Sequence, residues 1–308
     1  MLDNIITVGV QVLVLFLLIF VGYIFGKTKL LKSDSVAGIS NLVLYVATPA
    51  AILQSFTSEA RTAEKSKNLL LLFLGSVLIH IITILIAKLF VHEKNTEKNR
   101  VMQFAVIFSN CGYMSFPLQK ALLGDIGVFY GAMFVAVFNL IMWTYGIFLM
   151  SGDKKNISAK KILLNPTIIS VVISVLLYLL QLKLPLFLSS TVTHLGNLNT
   201  PLPMIIVGYN LSTFGILKVF SDKKIYWPIF LRLAVSPILV LGVLWLIGIR
   251  GIPLIACTIA TSAPAAAISV IFANKFGGDA PLASKIVSVS TLLSIITMPV
   301  FVALAQLV

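Results

Sequence analysis

The chain has 308 residues, 59% of them hydrophobic and only 11% charged, with a mean hydropathy of +1.05, which excludes the roughly half-apolar, quarter-charged profile of a water-soluble globule. Ten membrane helices of about 20 residues each would use about 200 positions and leave about 100 for loops and ends, so there is no room for a separate soluble domain. The formal net charge of +13 does not indicate a nucleic-acid surface, because the basic residues are scattered in short groups between apolar runs, as membrane topology requires.

Apolar runs at residues 5–25, 35–56, 68–91, 101–123 and 126–150 predict helices one to five. A basic loop at 152–163 follows, and runs at 165–182, 188–211, 227–249, 252–276 and 283–308 predict helices six to ten. The first run follows Met1-Leu2-Asp3-Asn4, which lacks the basic leader of a signal peptide, and is read as a retained helix. Continuous stretches such as Leu69-Leu70-Leu71-Leu72-Phe73-Leu74 oppose a transmembrane barrel, whose strands alternate. Loops after the odd-numbered helices hold 16 Lys and Arg against 6 on the other face. Positive loops stay inside, so both termini are expected outside the cytoplasmic membrane.

Five helices per half mean that a duplicated unit enters the membrane upside down the second time. The expected domains are a first repeat at 1–151, the short cytoplasmic loop at 152–163 and a second repeat at 164–308. Thr48-Pro49 in helix two is matched by Thr200-Pro201 in helix seven, and Gly124-Asp125 after helix four by Gly278-Asp279 after helix nine. The expected fold class is an all-α integral membrane protein of ten transmembrane helices in two inverted five-helix repeats, an architecture common among secondary transporters.

Helices four and nine carry the interruptions. Helix four reads Ser109-Asn110-Cys111-Gly112-Tyr113-Met114-Ser115-Phe116-Pro117, and helix nine reads Thr261-Ser262-Ala263-Pro264-Ala265-Ala266-Ala267. Proline removes a backbone donor and clashes with the carbonyl four residues back. Polar backbone freed at membrane depth is tolerated only beside protein or a water-filled cavity. An ordinary proline kink without a ligand is the competing reading. The second half of a broken helix opens with unpaired N–H groups and partial positive charge, so an anion could sit there without a buried Lys or Arg. This places Asn110, Cys111, Gly112, Pro117, Ser262, Ala263 and Pro264 among the candidate substrate contacts. Arg232, a few residues inside helix eight, reads as a side chain reaching out to the cytoplasmic interface.

All ten acidic residues fall in or beside loops, whereas sodium-coupled and proton-relaying carriers usually bury carboxylates or histidine. Asp125 and Asp279 each follow a glycine and read first as a helix stop and cap, with a coupling role as the alternative. His80, mid-way along helix three, reads as a hydrogen-bonded packing histidine ahead of a proton carrier. Three scattered histidines and two cysteines make no metal cluster, and no cofactor is expected. Thr261, Ser262 and Cys111 have no histidine or carboxylate positioned to activate them, so the chain is not read as an enzyme.

Several segments resemble the auxin efflux carrier family: Asn41-Leu42-Val43-Leu44-Tyr45 through Pro49, Asn110 through Pro117 with Leu118 and Gly124, and Pro264 through Phe272-Ala273-Asn274-Lys275-Phe276-Gly277. Asn165-Pro166 and Arg232 with Pro237 fit its pattern as well. The resemblance spans nearly the whole chain. It implies a scaffold domain and a transport domain, and helices four and nine crossing at prolines Pro117 and Pro264 beside an organic-anion site. It also implies Asn110 as a substrate ligand, and it adds Asn41 to the candidate contacts. The short loop between helices five and six is similar to that of bacterial members known as malate or malonate permeases, whereas plant auxin carriers commonly have a long loop there. The function so implied is secondary active transport of small organic anions, mono- or dicarboxylates of auxin-like or malate-like kind, by alternating access. A passive channel or membrane receptor for such anions is the alternative. The expected partners are the anion and the lipid bilayer, with protons as a candidate driving ion, a homodimer allowed and no nucleic acid.

Overall fold

A computed structural model describes residues 2–213 and 222–308. Among them the structure is all-helical, and the one β element is an isolated antiparallel bridge between Ser109 and Ala265. In chain order the helices are α1 (Leu2–Lys27), α2 (Ser33–Thr57), α3 (Ala63–Phe90), α4a (Thr96–Ile107), α4b (Phe116–Leu123), α5 (Asp125–Ser151) and α6 (Pro166–Leu180). They continue as α7a (Leu186–Asn197), α7b (Pro201–Thr213), α8 (Lys223–Leu246), α9a (Gly251–Ser262), α9b (Ile268–Phe276) and α10 (Ala280–Leu307). Five of these, α2, α3, α5, α8 and α10, are long and apolar enough to cross a membrane, and Leu13–Lys27, α6 and α9a are shorter apolar helices.

The starts of these helices are written locally. Thr62, Asn95 and Asp279 accept from the amides of Lys65, Lys98 and Leu282, three residues on. Asn165 accepts from Thr167 and Ile168, with Pro166 at the first helical position where its missing N–H costs nothing. Proline inside a span is absorbed differently. A π-helical turn covers Val43–Ala47 before Pro49, Cys111–Ser115 before Pro117 and Leu231–Val235 before Pro237. The wider turn accommodates the carbonyl that the proline ring would otherwise strike.

Helix seven, expected to be continuous, is interrupted at 198–200 and restarts at Pro201. Pro201 has no amide to continue the ladder, and Asn199 turns its side chain to helix two, where Thr48 Oγ1 donates to its Oδ1 at 2.8 Å. Asn199, which precedes the second Thr-Pro pair, therefore bonds to Thr48 of the first.

The helices form two groups. In one, α1 runs along α7b, and α2 packs on α6 and α7a. In the other, α3, α4a, α5, α8, α9a, α9b and α10 share the main apolar core, which Ile52 and Phe56 of α2 and Val171 and Tyr178 of α6 also enter. The groups meet where α2 and α6 lie on α5 and where α1 lies on α4b. The α1–α7b contact is backbone on backbone. A Cβ added to Gly208 would lie 1.8 Å from the Ile19 carbonyl oxygen, and one on Gly22 would lie 2.1 Å from that of Ile205. Gly26 faces Ser212, so small residues four apart on each helix let the two approach.

On the face opposite the α4b–α5 turn, Glu93 pairs with Lys224 at 2.8 Å, Asp222 with Lys285 at 2.9 Å and Asp279 with Lys98 at 4.0 Å. The lysine hydrogen bonds hold the Glu93 and Asp222 carboxyls below the usual carboxylate range.

Candidate functional site

Helix four is unwound at 108–110 and helix nine at 263–267. The two unwound stretches run antiparallel and bond to each other. Asn110 N–H donates to the Pro264 carbonyl at 2.7 Å, and Ala266 N–H donates to the Phe108 carbonyl at 2.9 Å. Ala265 N–H donates to Ser290 Oγ of α10 at 3.2 Å. Backbone groups released by each break are thus satisfied by the other, which is how irregular backbone survives inside a membrane protein. Small side chains make the approach possible: Ala263 and Ala265 flank Pro264 and are fully buried.

The ends of the first halves converge on Arg232. Its Nη1 donates to the carbonyls of Val106 at 2.9 Å and Ile107 at 3.3 Å, and its Nη2 donates to the carbonyl of Thr261. Arg232 is 2% exposed, so the expectation that it reaches out to the membrane interface is overturned. The reason is electrostatic. Two helix C-termini, each carrying about half a negative charge, offer a guanidinium more in the interior than the interface does.

Asn110 is 5% exposed, and its carboxamide makes no hydrogen bond to any described residue. Its neighbour Gly112 faces open space, since a Cβ there would meet nothing within 4 Å. An unpartnered buried amide at the start of a helical segment is an arrangement that can receive a carboxylate. Cys111 and Ser262 are fully buried, and Ser262 Oγ donates back to the Ile259 carbonyl at 3.3 Å.

Pro264 lies within the crossing itself. Pro117 does not: it stands at the start of α4b, past the π turn, seven residues beyond Asn110 in the chain. The break in helix four occurs upstream because the π turn absorbs Pro117, while pairing with helix nine offsets the unwinding at 108–110. Asn41 is exposed on α2. His80 is fully buried, donates from Nδ1 to the Ser76 carbonyl at 2.7 Å, and packs on Phe134 and Phe108, the latter a residue of the break. Asp125 begins α5 after Gly124, whose φ of 72° ends α4b, and it pairs with Lys120. Asp279 caps α10, after Gly277 closes α9b in a left-handed turn.

The structure holds two small cavities. One of about 30 Å³ is apolar, lined by Leu15, Ile19, Met114, Leu118, Met204 and Met298, and it touches the π turn through Met114. The other, about 20 Å³ and wide enough for one water, lies beside the Lys120–Asp125 pair with Gln54, Asn199 and Thr200. Among the described residues no group of His, Cys, Asp and Glu could hold a metal ion.

The family model described as membrane transport protein matches residues 7–302. An uncharacterized transporter of Methanocaldococcus jannaschii is 24% identical over 301 residues, covering 92% of this chain and 94% of that protein. An uncharacterized transporter of Methanothermobacter thermautotrophicus is 23% identical over 296 residues, covering 94% and 96%. A Rhizobium meliloti protein named "Putative malonate transporter" is 22% identical over 296 residues, covering 93% and 92%. A match along almost the whole chain, on a multi-pass array of apolar helices, means that the chain belongs to the membrane transport protein family, that of the auxin efflux carriers.

Proposed function

We propose that the protein is a secondary transporter moving small organic anions, mono- or dicarboxylates, across the cytoplasmic membrane by alternating access. The observation that carries this reading is the crossing: two broken helices bonded to each other, with an unpartnered Asn110 amide at the start of the second half of helix four. The name of the Rhizobium meliloti relative favours a carboxylate. In this reading the helical passages are ten spans in two inverted repeats, 1–151 and 164–308, and the substrate carboxylate binds at the start of the second halves of helices four and nine. The group α1, α2, α6 and α7 is the scaffold, against which the other group moves. Among the described residues no carboxylate lies at the crossing, which argues against a sodium site built on a carboxylate, and protons are the candidate driver. The family is one of transporters rather than enzymes.

Counterflow in proteoliposomes tests it. Vesicles preloaded with malonate, malate or a monocarboxylate should take up labelled anion of the same class, without added sodium. No counterflow with any carboxylate refutes the reading. The charge asymmetry further places Ser58 outside and Ser158 inside, with both termini outside. Single cysteines at these positions, in a cysteine-free background, should react with an impermeant maleimide from opposite faces. Equal labelling from outside contradicts that orientation.

A further inference from the structure

We propose that Arg232 is the resident cation of the crossing: its guanidinium occupies the point where the carbonyls of Val106, Ile107 and Thr261 would otherwise hold a free alkali cation, so that one carboxylate binds with no co-bound ion. The charge count rests on the reading of the crossing as a carboxylate site; the cation position does not.

Three carbonyl oxygens from two separate helix ends converge on one guanidinium group. Converging carbonyls at unwound helix ends are the ligands from which sodium sites in transporters are built. Here the point is filled by a side chain that cannot lose its proton. No acid answers it: the ion pairs among the described residues lie at Glu59, Glu93, Asp125, Asp222 and Asp279, all in or beside loops. Arg232 Nε has no partner either, so the side chain is held by carbonyls alone. Burying an unpaired guanidinium would cost several kcal/mol. The two C-terminal ends, together about −1, supply the compensation, and Arg232 cancels them. The opposite N-terminal ends, together about +1, then remain uncancelled, which matches one carboxylate.

The planar fork matters as well as the charge. It reaches both helix ends at once, which a single ammonium does less completely. Arg232 is therefore a positioning residue that sets which ions the crossing accepts.

The test reads the thermal midpoint of the purified protein in detergent, without substrate, in sodium chloride or choline chloride at equal ionic strength. The wild type should be indifferent to the exchange. Arg232→Ala should melt earlier, and sodium or guanidinium should raise its midpoint where choline does not. Its affinity for malonate should fall on the order of 10-fold or more and recover in part with guanidinium. Arg232→Lys keeps a tethered charge, so it should fold and stay indifferent to sodium; it decides the matter if Arg232→Ala does not fold. The proposal is overturned by a wild type or Arg232→Lys whose midpoint rises with sodium, or by an Arg232→Ala that matches the wild type or is rescued by neither cation. Failure of Arg232→Lys to fold also overturns it, by assigning Arg232 to packing. Since the midpoint is read without substrate, a lack of carboxylate transport would remove the functional reading and leave the cation result standing.

Discussion

Replacing Asn110 by Ala is expected to raise the carboxylate concentration needed for half-maximal counterflow by about 5- to 150-fold, the loss of about 1 to 3 kcal/mol that one desolvated hydrogen bond carries. The amide is 5% exposed and unpartnered within the protein, so its truncation leaves no donor or acceptor stranded elsewhere. Folding should therefore be little changed, and the effect should appear in binding. Asn110→Asp should be worse than Ala, because it sets a negative charge where the substrate's charge belongs. Pro264→Ala acts on the backbone: with a donor restored, the stretch 263–267 can wind into a helix and withdraw the carbonyl that receives the Asn110 amide. If both variants, corrected for folded protein, bind and transport as the wild type does, the crossing is a packing feature and not a binding site.

Gly208→Ala should destabilise the protein by about 1 to 3 kcal/mol or more, the range for forcing a methyl into packed structure. The added carbon would lie 1.8 Å from a backbone carbonyl oxygen, which cannot swing aside as a side chain can, so α1 and α7b must separate. Gly22→Ala should act alike. Gly242→Ala on α8 is the control, because nothing lies within 4 Å of its new carbon. There the better helix propensity of alanine should leave the thermal midpoint unchanged or raise it. Thermal unfolding in detergent separates the cases by sign, and a stabilised Gly208→Ala would show that the two helices are not in contact.

Some of this is legible in the residues and some is not. The helical passages follow from apolar runs, and the caps at Thr62, Asn95, Asn165 and Asp279 from polar residues at their starts. That helices four and nine break is also legible, since each sets a proline among small and polar residues. The place of the break is less so. Pro49, Pro117 and Pro237 are each preceded by a π turn and leave the chain helical, whereas before Pro264 the chain is extended, with Ala263 at ψ 149°. The residue before each proline decides between these outcomes, and which one occurs depends on whether another backbone is present to take up the freed groups. Arg232 could not be placed from sequence because its partners are carbonyls, one of them 126 residues away, and a backbone acceptor leaves no mark on side-chain type. The α1–α7b contact had a visible signal in Gly22-Tyr23-Ile24-Phe25-Gly26, two glycines one helical turn apart, a spacing that favours close helix pairing.

The bonding of helix four to helix nine bears on how the protein is made. During synthesis helix four is complete long before helix nine leaves the ribosome, and in that interval the amide of Asn110 and the carbonyl of Phe108 lack the partners they will have. Lipid cannot satisfy them, so the nascent first half must keep that stretch in contact with water, with the insertion machinery or with a provisional continuous helix. The last helices therefore do more than close the bundle. Their arrival exchanges a temporary host for the permanent one, and a chain stopped before residue 264 would retain an unsettled membrane segment however well its first five helices had inserted.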